Sequence, residues 1–176
     1  IGIETSGSLN VLFSDKTGTI TKGKLEVVKF IKGNGVEVDI NSDTNIKHHI
    51  DLAIGKNTQA MFDNEHRVIG GNATDQALLH FIGEDIFNKL AEDKDCVITA
   101  QQGFNSTNKF SQSRIENLGK TFYKGAPERL LAKAKKYLDI DGEIKDINMD
   151  ALNDAIDNLA NQAMRVLAFG YSTSDM

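Results

Sequence analysis

The run from Ser14 to Thr21 combines residue types that can perform phosphoryl chemistry. It follows the short apolar segment 11–13, which is typical of a buried strand. Asp15 would then lie at the edge of a sheet, where loops bind ligands, and its carboxylate can attack a phosphoryl group to form an aspartyl phosphate. The hydroxyl of Thr17 and the bare backbone of Gly18 suit a loop that contacts phosphate or Mg²⁺. These residue types also form ordinary turns, but the complete run DKTGT followed by Ile-Thr is too specific for that interpretation.

Length and composition predict one globular domain. The chain has 176 residues, of which 40% are hydrophobic and 26% are charged, as in average soluble domains. The net charge of −5 argues against a nucleic-acid-binding surface. The single cysteine, Cys96, excludes an internal disulfide, and no apolar stretch approaches the ~20 residues that span a bilayer. Ile1–Thr5 has neither an initiating Met nor a signal-peptide layout, so we expect an excised domain.

Hydrophobic periodicity predicts a mixture of hairpins and helices. Gly33-Asn34-Gly35 favours a hairpin turn, and the single proline, Pro127, suits the first turn of a helix. Because there is no regular βαβ rhythm, we predict an α+β fold with a mostly antiparallel sheet flanked by helices. Strands are predicted over 25–31, 36–40, 96–104, 121–126 and 165–171. Helices are predicted after a cap at Asp43 or Thr44, from residue 74 through Leu90, over 127–138 and over 152–163.

The DKTGT run resembles the phosphorylation signature of the P-type ATPases, which pass through an aspartyl phosphate. It is also similar to the nucleophile loop of the wider haloacid dehalogenase superfamily. Phosphatases of that superfamily usually carry a second Asp two residues after the nucleophile, where this chain has Thr17. A hydroxyl of ordinary pKa cannot take a proton from water at pH 7. The resemblance therefore implies a loop that forms an acyl phosphate and keeps it.

Four further segments resemble the nucleotide-binding domain of type II P-type pumps, the calcium-pump and sodium-pump group. The most specific is KGAPE at Lys124–Glu128, and the motif Ser-Glu-His-Pro of heavy-metal pumps is absent. The others are Gly71–Leu78, Phe104–Lys109 and Arg165–Ala168. With the nucleophile loop, the matches extend over residues 11–170, in the order that the family shows.

The resemblance implies a role for five side chains of a nucleotide pocket. The ring of Phe104 would stack on adenine, and Asp75, where the family more often has Glu, would accept a hydrogen bond from the adenine amino group. Lys109 and Lys124 would line the pocket as cations, with Gly125 beside Lys124. The guanidinium of Arg165 would offer two parallel hydrogen bonds to phosphate. Taken one by one, these residues fit core, surface or salt-bridge roles better than binding roles, but their order and spacing together favour the pocket.

The resemblance also implies how the chain is divided. Residues 1–24 would be an N-terminal fragment of a Rossmann-like phosphorylation domain, residues 25–170 the nucleotide-binding domain, and residues 171–176 a hinge. In the intact pump Asp15 would accept the γ-phosphate of ATP, Lys16 and Thr17 would belong to the catalytic loop, and Asp15 and Thr17 would contact Mg²⁺. The Thr-Gly-Asp and Gly-Asp-Gly-x-Asn-Asp motifs of the family are absent. We therefore expect the fragment to bind ATP or ADP without transport or turnover.

The implied partners are the remaining phosphorylation, actuator and transmembrane domains of the same pump. The fragment would be a monomeric cytoplasmic domain of an integral membrane protein, with no nucleic-acid partner. The ligands of the transported cation would lie in helices outside this chain, so the sequence does not predict which ion is carried.

Two other functional classes stay open. A phosphatase of the dehalogenase superfamily would need a downstream lysine and an acidic pair, which the sequence after residue 125 does not show. A non-catalytic interaction module with a degenerate nucleotide pocket is the second. A zinc site is not predicted, because His48, His49, His66 and His80 lack a metal-binding spacing. We expect Cys96 to be a small buried residue.

Overall fold

Eleven short strands and five helices are interspersed along the described part of the chain. The computed structural model describes residues 8–15, 26–32, 34–39, 44–71, 73–104, 106–107, 109–131, 136–138, 144–161 and 165–172. The strands are β1 (Ser8–Asp15), β2 (Glu26–Lys32), β3 (Glu37–Val38), β4 (Ala60–Phe62), β5 (Val68–Gly70), β6 (Ala100–Gln102), β7 (Phe110–Ile115), β8 (Lys120–Gly125), β9 (Lys136–Leu138), β10 (Ile144–Asp146) and β11 (Arg165–Ser172). The helices are α1 (Thr44–Gly55), α2 (Ala73–Ile82), α3 (Glu84–Glu92), α4 (Pro127–Leu131) and α5 (Met149–Asn161).

Within the described residues, seven strands form one sheet in the order β3-β2-β1-β11-β8-β7-β6. Every neighbouring pair in this sheet is antiparallel. Two further antiparallel ladders, β4–β5 and β9–β10, are separate from it. The predicted α+β class with a mostly antiparallel sheet is confirmed.

Side-chain alternation gives the sheet two buried faces. Neighbouring residues of a strand point to opposite faces, and Phe122 accordingly packs in one core cluster with α1–α3, whereas Tyr123 packs in the other with residues of α4 and α5. Phe30 and Ile31 divide in the same way on β2. The sheet is therefore a middle layer between two groups of helices.

The predicted helical stripe of α1 is confirmed. Ile46, Ile50 and Ile54 recur every four residues, and each is at most 1% exposed. This stripe packs α1 against the sheet near β8 and β11. No helix in the described ranges combines the length and apolarity that crossing a membrane would require.

The predicted single helix from residue 74 to Leu90 is wrong, because Gly83 interrupts it. Gly83 has φ of +86° and ψ of 159°, which no helix contains, so α2 ends at Ile82 and α3 starts at Glu84. The apolar residues on either side, Leu78 and Leu90, still enter the same core. The hydrophobic period thus identified the buried face correctly and missed the break.

The predicted helix over 127–138 is also wrong at residues 136–138, which form β9, while residues 132–135 lie outside the described residues. α4 ends at Leu131, and β9 pairs with β10 in a small hairpin. Tyr137 is 3% exposed, and Lys136 Nζ lies 2.6 Å from Asp146 Oδ1 across the two strands. Cross-strand pairing and burial of this tyrosine outweigh the helical propensity of the lysine-rich segment.

Only part of the predicted strand over 96–104 exists, because β6 covers Ala100–Gln102 and Lys94–Cys96 form a one-turn 3₁₀ helix. Cys96 is 2% exposed, which confirms it as a small buried residue. The hairpin predicted around Asn34 is confirmed by the pairing of β2 with β3.

β1 lies inside the large sheet, between β2 and β11. Its residue Ser14 is paired with Arg165, and Asp15 with Glu26. The segment predicted to belong to a phosphorylation domain therefore pairs here with strands assigned to the nucleotide-binding domain. The divisions at residues 24/25 and 170/171 stay predictions.

The turn between β7 and β8 contains a glycine that should help to fix the register of β8, the strand that carries Lys124. Gly119 has φ of +63°, and its N–H donates to the carbonyl of Glu116. A side chain costs about 1–2 kcal/mol in this left-handed region, less for Asn than for other residues. We expect Gly119→Ala to lower the free energy of unfolding by about that amount and Gly119→Asn by less, as measured in urea. Equal stability of wild type and both variants would show that the turn does not require a left-handed residue at position 119.

Candidate functional site

A cavity of about 320 Å³ opens at the end of β8. This volume lies near the lower end of the range for small-molecule sites. Three loops, the start of α2 and the ends of β7, β8 and β11 surround the cavity. Its lining residues are Asn57, Thr58, Gln59, Asp75, Phe104, Ser111, Lys124, Gly125, Ala126, Val166 and Leu167.

The floor of the cavity is a buried ion pair. Lys124 is 6% exposed, and its Nζ lies 2.8 Å from Asp75 Oδ1. The same ammonium donates a hydrogen bond to the backbone carbonyl of Asn57 at 2.6 Å. Burial lowers the pKa of Lys124 because it penalises the charged form, and the charge of Asp75 opposes that effect. The cation of the pocket is thus held in place by acceptors from two other elements.

Asn57 ties the loop after α1 to the sheet. Its amide donates to the carbonyls of Ser111 at 3.1 Å and Phe122 at 3.4 Å, and its side-chain oxygen accepts from the hydroxyl of Ser113 at 3.4 Å. The residue is 1% exposed. Because these bonds engage β7 and β8 together, they fix the loop whose carbonyl holds Lys124.

Phe104 forms an exposed aromatic wall of the cavity. It lies in the loop after β6 and is 57% exposed, which is unusual for so large an apolar side chain. An uncovered aromatic face beside a polar floor can stack on a planar ring. The arrangement therefore suits a flat ligand that carries polar groups.

Gly125 allows the backbone before β7 to approach the end of β8. A Cβ on Gly125 would lie 2.5 Å from the carbonyl oxygen of Lys109, a separation that real atoms do not reach. That carbonyl accepts a hydrogen bond from the N–H of Ala126 at 3.0 Å. The glycine of KGAPE is thus required by packing on this side of the cavity.

Four of the residues predicted for the nucleotide pocket, Asp75, Phe104, Lys124 and Gly125, lie together around one cavity. Lys109 is not among the lining residues; its side chain is exposed and its backbone makes the contact with Ala126.

The structure describes only the backbone of Asp15 and Arg165, which lie at the end of β1 and the start of β11. Lys16 and Thr17 lie outside the described residues.

Sequence reasoning missed Asn57 and the polar pair that follows it, Thr58 and Gln59. The only local signal was a polar run directly after the apolar stripe of α1, which is typical of any helix end. Ser111, paired with Lys124 across β7 and β8, carried no signal at all. Its place depends on strand register, which the sequence pattern left undetermined.

The described part of the chain contains no group of three or more His, Cys, Asp or Glu side chains that could bind a metal ion. The residues that the sequence assigned to Mg²⁺, Asp15 and Thr17, have no described side chains.

Comparison with known proteins gives a consistent match. Residues 45–176 match the family model described as P-type ATPase, cytoplasmic domain N. The chain is 30% identical over 200 residues to calcium-transporting ATPase 1 of Saccharomyces cerevisiae, an alignment that covers 97% of this chain and 21% of that protein. It is 34% identical over 188 residues to the plasma membrane-type calcium-transporting ATPase 10 of Oryza sativa subsp. japonica, covering 96% and 18%.

A sodium/potassium-transporting ATPase subunit alpha, from Hydra vulgaris, is 31% identical over 191 residues, covering 95% of this chain and 18% of that protein. The chain thus spans about a fifth of the length of the relatives it matches.

The buried ion pair predicts a specific pattern of stability changes. Asp75→Asn leaves the ammonium of Lys124 buried without a counter-charge, and breaking a buried pair in this way costs about 3–5 kcal/mol. We expect the double variant Asp75→Asn/Lys124→Met to recover much of that loss in urea unfolding, because no charge stays buried.

The exposed pair of Lys136 and Asp146 supplies the matched control. Asp146→Asn should leave the free energy of unfolding nearly unchanged, because exposed ion pairs contribute little. A double variant as unstable as Asp75→Asn alone would refute the role of the uncompensated charge.

Proposed function

The chain belongs to the family of P-type ATPase cytoplasmic N domains, and from that membership we propose that it binds ATP or ADP in the cavity above Lys124 and Asp75. In the parent protein, a cation pump, the bound ATP is the phosphoryl donor. The observation that carries this proposal is the pairing of an exposed aromatic ring, Phe104, with a fixed cation across one cavity. An adenine nucleotide offers a planar ring for the aromatic face and acceptor atoms for the ammonium.

The adenine ring is proposed to stack on Phe104. Base–aromatic stacking contributes about 1–3 kcal/mol per base in other nucleotide-binding proteins. The adenine amino group is proposed to donate to Asp75, whose carboxylate also accepts from Lys124. One carboxylate can serve both donors because its two oxygens offer about four acceptor positions.

The phosphates are proposed to extend toward the start of β11. Val166 and Leu167 line the cavity, and Arg165 directly precedes them on the strand. Its guanidinium suits two parallel hydrogen bonds to phosphate oxygens, and the exposed side chain of Lys109 supplies a further cation. Ser14 is paired with Arg165, so the end of β1 that carries Asp15 lies next to this strand.

The chemical step is proposed for the intact pump alone. A carboxylate oxygen of Asp15 attacks the γ-phosphorus, the bond from that phosphorus to the β,γ-bridging oxygen breaks, and ADP leaves. Lys16 and Thr17 form the surrounding loop, and the oxygens of Asp15 and Thr17 are of the kind that Mg²⁺ prefers. The ion would neutralise charge on the transferring phosphoryl group.

The rest of the parent protein is proposed from its relatives. We infer a type II pump in which residues 1–24 belong to the phosphorylation domain, 25–170 to the nucleotide-binding domain and 171–176 to the hinge. Its other phosphorylation, actuator and transmembrane domains are the partners, and the domain lies on the cytoplasmic side of the membrane. The chain by itself is proposed to be monomeric and to bind nucleotide without turnover.

Removing the aromatic wall should weaken nucleotide binding. We expect Phe104→Ala to raise the Kd for ATP about 5- to 150-fold, which corresponds to the loss of about 1–3 kcal/mol of stacking. Titration calorimetry measures this directly, and Phe104→Tyr should keep most of the affinity because it keeps the ring.

Val36→Ala is the matched control, because Val36 is 52% exposed and does not line the cavity. If Phe104→Ala bound ATP as tightly as wild type and Val36→Ala, the proposed stacking would be wrong.

The isolated chain should not phosphorylate itself. After incubation with γ-labelled ATP and Mg²⁺, we expect no acid-stable, hydroxylamine-sensitive label above that of an Asp15→Asn control. The parent's downstream phosphorylation motifs are absent from this sequence. Labelling that disappears in Asp15→Asn would show that residues 1–176 suffice for the transfer.

A further inference from the structure

A second lysine of β8 lies in an unusual setting at the far end of the strand from the cavity. Lys120 Nζ is 3.0 Å from His49 Nε2, a nitrogen of a side chain on α1. The same Nζ lies 4.8 Å from the centre of the Tyr171 ring. The imidazole of His49 is stacked on that ring, with centroids 4.8 Å apart and planes inclined by 28°. The amine is thus enclosed by an aromatic face and a potential proton acceptor.

The short contact between Lys120 and His49 implies that the two side chains do not both carry a positive charge. An ammonium and an imidazolium 3.0 Å apart would repel each other strongly, so one of the two groups is neutral. Burial lowers the pKa of Lys120, since removal from water penalises the ammonium. Among the described residues, His49 is the one hydrogen-bonding partner of this amine. A neutral amine is therefore more accessible here than at an ordinary lysine.

We propose that Lys120 is a reactive amine and a site of Nε-acylation by small activated acyl donors, acyl phosphates or acyl thioesters, with His49 as the proton acceptor. Amines desolvated in this manner act as nucleophiles in proteins. The enclosing side chains of His49 and Tyr171 restrict the donor to a small acyl group.

The step is balanced without an oxidant or reductant. The Nζ lone pair of the neutral amine attacks the carbonyl carbon of the donor and forms a C–N bond. The proton released from the nitrogen goes to Nε2 of His49 and then to water. The bond from the carbonyl carbon to phosphate oxygen or to thioester sulfur breaks, and phosphate or thiolate leaves. The product is a neutral amide in place of a cation.

Three other lysines within the described ranges lack this combination and serve as comparisons. Lys124 is also buried, but the carboxylate of Asp75 favours its charged form. Lys89 and Lys94 are exposed on and after α3, so they report the reactivity of ordinary solvated amines. These three side chains are internal comparisons within one protein sample.

The test is a competition among lysines of the whole 176-residue chain. The protein is incubated with limiting acetyl phosphate in one arm and acetyl-CoA in the other, and acetylation at each lysine is followed by quantitative mass spectrometry. We expect Lys120 to react several-fold faster than Lys89 and Lys94, because its partly buried amine contacts a proton acceptor and theirs are exposed to water. The arm with the larger ratio identifies the donor class.

The variant His49→Phe keeps a ring to stack on Tyr171 but removes the proton acceptor. We expect the Lys120 rate to fall to that of Lys94 or below, while the rates at Lys89 and Lys94 stay unchanged. Should His49→Phe fail to fold, His49→Gln serves the same purpose, because its amide accepts a hydrogen bond but takes up no proton.

Two results would overturn the proposal. Acetylation of Lys120 no faster than Lys94 in both arms would show that the amine is not activated. An unchanged Lys120 rate in a folded His49 variant would show that the imidazole takes no part. Neither result bears on nucleotide binding, which Phe104→Ala tests at the other end of β8.

Discussion

The ammonium of Lys124 imposes the strongest single constraint on the structure. A buried cation must receive acceptors from the protein itself, since water is excluded from it. Here they come from the loop after α1, through the carbonyl of Asn57, and from the first turn of α2, through Asp75. Three segments that are far apart in sequence must therefore meet at one atom. Asn57, Asp75 and Lys124 all line the cavity, so this meeting point forms part of its wall.

The strand β8, which bears Lys124, contributes side chains to the cores on both faces of the sheet. Phe122 and Tyr123 point to opposite faces and enter the two separate cores. Lys120 and Lys124 lie on the same face of β8 as Phe122. Lys120 therefore contacts His49 near the middle of α1, and Lys124 contacts Asn57 in the loop after α1. A shift of this strand by one residue would exchange the two faces. Gly119 and Gly125, at its two ends, resist such a shift through a left-handed turn and a close backbone approach.

Part of the site could be predicted from the sequence because its residues belong to short linear motifs. Lys124 and Gly125 are consecutive, and Asp75 and Phe104 each occur within a recognisable segment. Asn57 could not be found, because its importance depends on hydrogen bonds to two strands that are 54 and 65 residues away. Contacts of that range follow from tertiary packing and leave no periodic signal.

For the secondary structure as well, features set by local sequence patterns were predicted correctly, and features set by distant contacts or by a single backbone conformation were missed. The stripe of α1 was predicted correctly because a helix with one buried face repeats its apolar residues at a fixed interval. The segment of β9 was predicted to be helical because its lysines favour a helix locally, whereas the deciding contact is the burial of Tyr137. Gly83 was overlooked because the apolar period continues across it, although its backbone angles end the helix.

The two bonds that hold Lys124 also decide what kind of recognition the cavity offers. An ammonium has three N–H donors, and Asn57 and Asp75 engage two of them. These two bonds fix the direction of the third N–H, and the carboxylate of Asp75 cancels most of the long-range electric field of the ammonium. Lys124 therefore presents a ligand with an oriented donor, much like a backbone amide, instead of a diffuse positive charge. Such a pocket selects by the position of an acceptor atom more than by the total charge of the molecule that carries it.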